Sequence, residues 1–178
     1  MESHPGEQAL LAFLDQLGIE HQTYRHDPVF TVEEAQAARI SAAGGMPGAH
    51  TKNLFVRDKK KRRALVTIEE SRKVDLASLA DAIGLNRLSF GSADSLMEYL
   101  GVLPGSVTPF GLFNARKADG DTPPLAFAID RTLLEAELVN IHPLHNAATT
   151  AISPDGLMTF LRACGYEPII VDFDNTPA

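Results

Sequence analysis

The chain has 178 residues, 44% of them apolar, a formal net charge of −7 and a single cysteine, Cys164. That length suits one compact domain whose core needs no covalent staple, and a lone cysteine excludes an intramolecular disulfide framework. No run approaches the roughly 18 apolar residues of a membrane helix, and the first twenty residues lack the basic head of a secretory signal, so the sequence reads as a cytoplasmic protein.

In chain order, Leu10, Phe13, Leu14 and Leu17 share one helical face and predict a helix over residues 7–17, stopped by Gly18. A short strand is expected at 22–26. Thr31-Val32-Glu33-Glu34 has the spacing of a capping box and opens a second helix. Gly44, Gly45, Pro47 and Gly48 then form a loop leading to Lys52. Residues 54–57 and 64–68 read as a hairpin around a basic turn. Asp75 caps a helix with Leu76, Leu79, Ala80 and Ile83 on one face and Gly84 beyond it. The stretch 92–100 repeats that arrangement, ending at Gly101. Strands are expected at 125–129, 138–141 and 147–152. Ser153-Pro154 opens the last helix, with Leu157, Phe160, Leu161 and Cys164 as its stripe, and 169–173 is a final strand. Helices and strands do not alternate strictly. The expected fold is α+β: a single domain over 1–178 with a mixed or antiparallel central sheet flanked by helices.

The charge is unevenly spread. Between Lys52 and Lys73 lie nine basic residues against three acidic ones, a local +6 that leaves −13 for the rest of the chain. A basic island on an acidic body focuses a polyanion onto one spot and does not coat a long duplex. The plainer reading of residues 59–63 is a solvated hairpin turn.

Three segments carry candidate chemistry. Thr51-Lys52-Asn53-Leu54-Phe55 places one lysine at the head of an apolar run. Such a lysine is most often a solvated strand end; functionally it is a cation aimed into a cleft, stabilising a carbonyl oxygen or phosphate. Gly105-Ser106-Val107-Thr108-Pro109-Phe110-Gly111 lacks the Gly-Lys-Ser/Thr ending of a phosphate loop and is either a rigid turn or a cradle of backbone amides. Asn140-Ile141-His142-Pro143-Leu144-His145-Asn146 adds polar groups at another strand end. His142 and His145 have a spacing that invites a metal, but Pro143 disfavours helical geometry and no cysteine or carboxylate is near in sequence, so no metal site is expected. Cys164 reads as core.

At these same residues the chain resembles the free-standing aminoacyl-tRNA deacylases related to the editing domain of bacterial prolyl-tRNA synthetase, and most resembles the branch acting on alanyl-tRNA(Pro). The likeness runs over about residues 24–172; Ala147-Ala148 departs slightly from the Thr-Ala expected after Asn146. The resemblance implies ester hydrolysis at the terminal ribose without metal or cofactor, and the acceptor end of a mischarged tRNA(Pro) as partner. Lys52 matches the family's functional lysine, the segment from Gly105 to Pro109 its Gly-x-x-x-Pro loop, and His142 its pocket histidine. The expected catalytic groups are therefore Lys52 with loop amides at Gly105 and Gly111. Asn53, Ser106, Thr108, Pro109, Ile141 and His142 are expected at the substrate, with Val29 and Phe30 completing the wall. Arg57, Arg72, Lys73 and Arg87 are expected to grip RNA. A cysteinyl-tRNA(Pro) deacylase, a non-catalytic RNA-binding module and a metal-dependent hydrolase are the other readings.

Overall fold

The computed structural model describes residues 4–41, 45–116 and 123–175. Gly44 lies outside the described residues. Three helices begin where a side-chain oxygen meets a free amide: Asp75 accepts from Ser78 N, Ser92 from Ser95 N and Ser153 from Gly156 N. These open α3 (Leu76–Ile83), α4 (Ala93–Leu100) and α6 (Pro154–Ala163). The capping box also forms: Glu34 N donates to Thr31 Oγ1 at 3.1 Å and Thr31 N to Glu34 at 3.2 Å, opening α2 (Val32–Ser41). The first helix, α1, spans Pro5–Gln16.

The helices pack around one mixed sheet that contains, among the described residues, β1 (His21–Arg25), β2 (Ala49–Arg57), β3 (Arg63–Glu69), β4 (Ser89–Phe90), β5 (Ala126–Asp130), β6 (Val139–Ile141), β7 (Ala148–Ile152) and β8 (Ile169–Val171). Their order is β1-β7-β6-β2-β3-β5-β8, with β4 on β2. The β2–β6, β3–β5 and β5–β8 pairs are parallel and the others antiparallel. The central strands are apolar on both sides because both faces are covered. Leu65, Phe127 and Ile129 face a core built with Leu10, Leu14, Phe110 and Phe160, while Val66, Ile68 and Ala128 face Leu79 and Ile83 of α3.

Four elements differ from the sequence expectation. Strand β2 begins five residues earlier, at Ala49, so Lys52 lies inside a strand and not at its entrance. Residues 49–53 show no apolar alternation; they are held instead by pairing with β3 on one edge and β6 on the other. Gly48 makes that entry possible: its φ is +104°, and a Cβ there would lie 2.5 Å from the Leu138 carbonyl oxygen. The second half of the expected loop is a 3₁₀ helix, Pro109–Phe113, with Thr108 as its cap. Two short elements, β4 and the single turn α5 (Arg131–Leu134), carry too few residues for a periodic signal.

Candidate active site

Strand β2 pairs with β6 only through Ala49 and His50, and with β4 only through Val56 and Arg57. Between these contacts the two strands part, and a cavity of about 260 Å³ opens at the division. Its walls come from Thr51, Lys52 and Asn53 on β2, from Asn140 and Ile141 on β6 and His142 just after it, with Gly105 and Val107 of the loop after α4 and residues of the 26–32 segment and α2. Five segments distant in sequence thus place Lys52, the Arg39–Glu70 pair and three histidines around one space.

Lys52 is positioned by the segment that follows β3. Its Nζ donates to the carbonyl oxygen of Arg72, and an ammonium has two further donors to offer. Arg72 is itself fixed: its Nε donates to Asp130 at 2.6 Å, and its two Nη atoms to Asp174 at 2.9 and 3.1 Å. These partners raise the Arg72 pKa, with the Asp174 hydrogen bonds leading. Asp130 is fully buried and also accepts from Glu69 N and Thr132 N. The lysine therefore stands on a chain of contacts anchored in a buried carboxylate.

His142 is fixed as a neutral acceptor. Burial pushes its pKa down, and its Nδ1 lies 2.9 Å from the Ala148 carbonyl oxygen, which can only accept. The Nδ1 carries the proton, so Nε2 keeps a lone pair. His26 sits beside it with ring centroids 6.4 Å apart, its Nδ1 on the Asp27 carbonyl and its Nε2 on the Thr149 hydroxyl. His50, also lowered by burial, bonds the Met46 carbonyl through Nε2 at 3.0 Å.

Gly105 and Val107 both line the cavity, and neither backbone amide meets an acceptor among the described residues. The intervening Ser106 N bonds the Leu103 carbonyl at 3.0 Å. These two N–H groups of one turn, with Gly105 at φ +87°, are left without a protein acceptor beside the cavity. The only carboxylate lining the cavity among the described residues is Glu70, and both its oxygens are bound by Arg39.

Several expected residues lie elsewhere. Gly111 is packed on Leu100, where a Cβ would fall 2.9 Å from the Leu100 Cβ, and its amide is spent on the Thr108 carbonyl. Thr108 is fully buried and donates its hydroxyl to the His142 carbonyl oxygen at 2.6 Å, so it supports the histidine and is not on the cavity wall. Ser106 and Pro109 are buried outside the lining as well. Val29, Phe30, Asn53, Ile141 and His142 do line it, although Phe30 is 70% exposed and forms a rim. Of the four residues expected at RNA, Arg72 is committed to two aspartates, Lys73 is exposed near the cavity, and Arg57 and Arg87 are exposed toward the far end of β2. The sequence reading missed His26, His50, Thr149, Val107 and the Asp130 anchor. Asp130 carried one legible signal: Asp-Arg-Thr after an apolar strand has the form of a helix cap.

Residues 26–160 match the family model of the aminoacyl-tRNA editing domain. The chain belongs to that family and is an aminoacyl-tRNA deacylase. It is 37% identical over 160 residues to the prolyl-tRNA editing protein ProX of Acetoanaerobium sticklandii, covering 89% of this chain and 92% of the relative. It is 41% identical over 172 residues to prolyl-tRNA synthetase associated domain-containing protein 1 of Xenopus laevis, covering 94% and 96%. A solved structure described as a candidate trans-editing enzyme for prolyl-tRNA synthetase shares the fold with a TM-score of 0.68 at 20% identity, over 96% of this chain and 98% of that one. No helix among the described residues is long and apolar enough to cross a membrane. No group of three or more His, Cys, Asp or Glu among them is placed to hold a metal.

Proposed function

We propose that this protein is a cytoplasmic trans-editing hydrolase that removes the amino acid from mischarged tRNA(Pro), alanyl-tRNA(Pro) foremost, and that residues 1–178 work as one editing unit. The observation that carries the reading is the convergence of Lys52, the unpaired amides of Gly105 and Val107, and a neutral His142 on one cavity without a free carboxylate. The printed name of the bacterial relative, a prolyl-tRNA editing protein, supports tRNA(Pro) as the carrier.

Water adds to the ester carbonyl, a tetrahedral oxyanion forms, and its collapse releases the free amino acid and the terminal ribose hydroxyl. The developing oxyanion needs donors that are already in place, and the two amides and the Lys52 ammonium supply them. His142 Nε2 offers an acceptor to the substrate's ammonium or hydroxyl groups. With Glu70 bound by Arg39, proton transfer falls to a ribose hydroxyl next to the ester. An amino-acid pocket built for proline cannot reject alanine by size, since missing methylenes are worth only about 1–3 kcal/mol each. A second, smaller pocket bounded by Ile141 and Val29 rejects proline by overlap and admits alanine.

The test is a panel of alanyl, cysteinyl, seryl and prolyl esters on one tRNA(Pro), followed by loss of the aminoacyl group. The expected order places alanyl first and prolyl last. Faster cleavage of the cysteinyl ester would move the protein to the cysteine-editing reading, and binding of tRNA without turnover of any ester would make it an RNA-binding module.

A further inference from the structure

Behind the cavity lies a second polar cluster that the deacylation chemistry does not use. Glu7, in the first turn of α1, is 1% exposed. Arg25 of β1 holds it through Nη1 at 2.7 Å and Nη2 at 2.5 Å, and His145 Nε2 lies 2.6 Å from Oε2. Burial alone would raise the pKa of this carboxyl, but the hydrogen bonds from Arg25 and His145 bring it below its ordinary value. His145 Nδ1 accepts from Ala147 N at 3.2 Å, so both ring nitrogens are committed: Nε2–H to the carboxylate and the Nδ1 lone pair to the amide. His4 stacks on the same ring at 5.2 Å.

The loop that carries His145 joins β6 to β7 and includes His142 and Asn146. It contains Leu144 at φ +73°, a left-handed conformation that a residue with a Cβ rarely adopts, so it needs holding from outside. One end is held by Thr108 on the His142 carbonyl. The other end holds the cavity wall: Asn146 Nδ2 donates to the Val29 carbonyl at 3.0 Å, and Val29 N donates back to the Asn146 carbonyl at 3.1 Å.

We infer that Glu7 and His145 are positioning residues that set the width of the amino-acid pocket, acting through Asn146 on Val29. The inference rests on the deacylase reading for its functional consequence, but its mechanical part does not. Neither residue touches substrate. Released from Glu7, the loop relaxes, Val29 and Phe30 move outward, and exclusion of larger amino acids weakens before hydrolysis of small ones does.

Two measurements test this on the full chain. The first compares His145→Ala, His145→Gln and parent for hydrolysis of alanyl and prolyl esters on one tRNA. His145→Ala should lower the alanyl-over-prolyl rate ratio about tenfold, the size of an ordinary coupling between contacting residues, with a smaller fall in alanyl kcat. His145→Gln, whose amide can donate to Glu7 and accept from Ala147, should restore most of the ratio. The second is hydrogen exchange at the Val29 amide, which should quicken in His145→Ala. Should His145→Ala not fold, His145→Asn is polar but too short to span both partners and replaces it. An unchanged ratio together with unchanged Val29 exchange in a folded variant overturns the inference. If the parent cleaves none of the esters, the deacylase reading fails, and Val29 exchange alone decides whether His145 governs the wall.

Discussion

The two ends of β2 use charge in opposite ways. At the cavity end, one lysine stands among polar neighbours, its ammonium tied to a backbone carbonyl and ultimately to buried Asp130. At the far end, seven of the chain's basic residues crowd around the hairpin and the 85–90 segment, yet much of that charge is occupied. Asp58, 3% exposed, accepts from Arg62 N and Arg62 Nε and organises the turn. Arg63 lies 4.4 Å over the Tyr99 ring. Arg62 is exposed but paired with Asp58; Arg57, Lys59, Lys60, Lys61 and Arg87 are exposed without a carboxylate partner among the described residues. Density of charge along the sequence is thus a poor guide to chemistry: the cavity end holds Lys52 and an Arg39 already paired with Glu70, and the dense end spends part of its charge on building a turn. Lys52 and Arg57 are five residues apart on one strand, about 17 Å at the usual rise, so the two ends cannot contact the same ester.

The strongest way to break this comparison is Lys52→Ala. Loss of one oriented electrostatic contact at a transition state costs on the order of 10²–10³ in rate. The variant should keep its thermal midpoint within a few degrees and lose that much in single-turnover deacylation. Replacing Lys59, Lys60 and Lys61 together by glutamine should leave the single-turnover rate of bound substrate unchanged. If both variants behave alike, the two ends are not functionally distinct.

Ile141→Ala comes next. Ile141 is 1% exposed and belongs at once to the core and to the cavity wall. Truncation of a buried isoleucine costs about 2–5 kcal/mol of stability. Hydrolysis of prolyl and other larger esters should rise while alanyl hydrolysis falls less, measured on the same tRNA below the lowered melting temperature. A loss of alanyl activity without any gain for larger esters would assign Ile141 to packing alone.

Ile141 also shows how far the sequence could be read. The strand end at Ile141-His142, the helix caps at Asp75, Ser92 and Ser153, and the basic turn are local patterns, and the structure contains each of them. Lys52 stood out as a cation heading an apolar run, Gly105 as a glycine of a hydroxyl-bearing loop and His142 as a polar group at a strand end, and the family likeness added their order and spacing. What sequence could not supply were the partners that arrive from far away. Glu7 and His145 are 138 residues apart, and Arg72 reaches Asp130 across 58. Thr108 and Gly111 looked functional because hydroxyls and glycines suit ligand sites, but the same properties suit a 3₁₀ cap and a close helix contact, and those won.

A third prediction concerns pH. The folded-state pKa values of His142 and His50 are lowered by burial, so the unfolded chain binds protons first as the medium is acidified. Their contribution to stability is complete above the ordinary histidine value, near 6.5, and is lost as pH falls through that range. The melting temperature should decline below about pH 6.5, and His142→Gln should reduce the decline. A flat profile in the parent would mean that His142 is hydrated and not buried neutral. The effect belongs to the cavity end alone, since the hairpin carries no histidine.

The smallest effect expected is at the far end, and it decides whether that end has any role with RNA. Arg72 no longer belongs with the other three RNA candidates, because Asp130 and Asp174 neutralise it and its removal would leave a buried carboxylate unpaired. Lys73, Arg57 and Arg87 are exposed and free to meet phosphate. If the acceptor stem runs from the cavity along β2, Lys73→Gln removes a contact near the ester, and the Arg57→Gln/Arg87→Gln pair removes contacts at the other end. Each lost phosphate contact should flatten the salt dependence of tRNA binding by roughly one unit of slope or less. The double variant should therefore bind more weakly at low salt, converge with the parent at high salt, and keep the parent's turnover once saturated. Lys73→Gln should show the smaller slope change of one site. An unchanged slope in the double variant, with a changed one in Lys73→Gln, would confine the RNA to the cavity end and leave the hairpin's remaining charge to solvent.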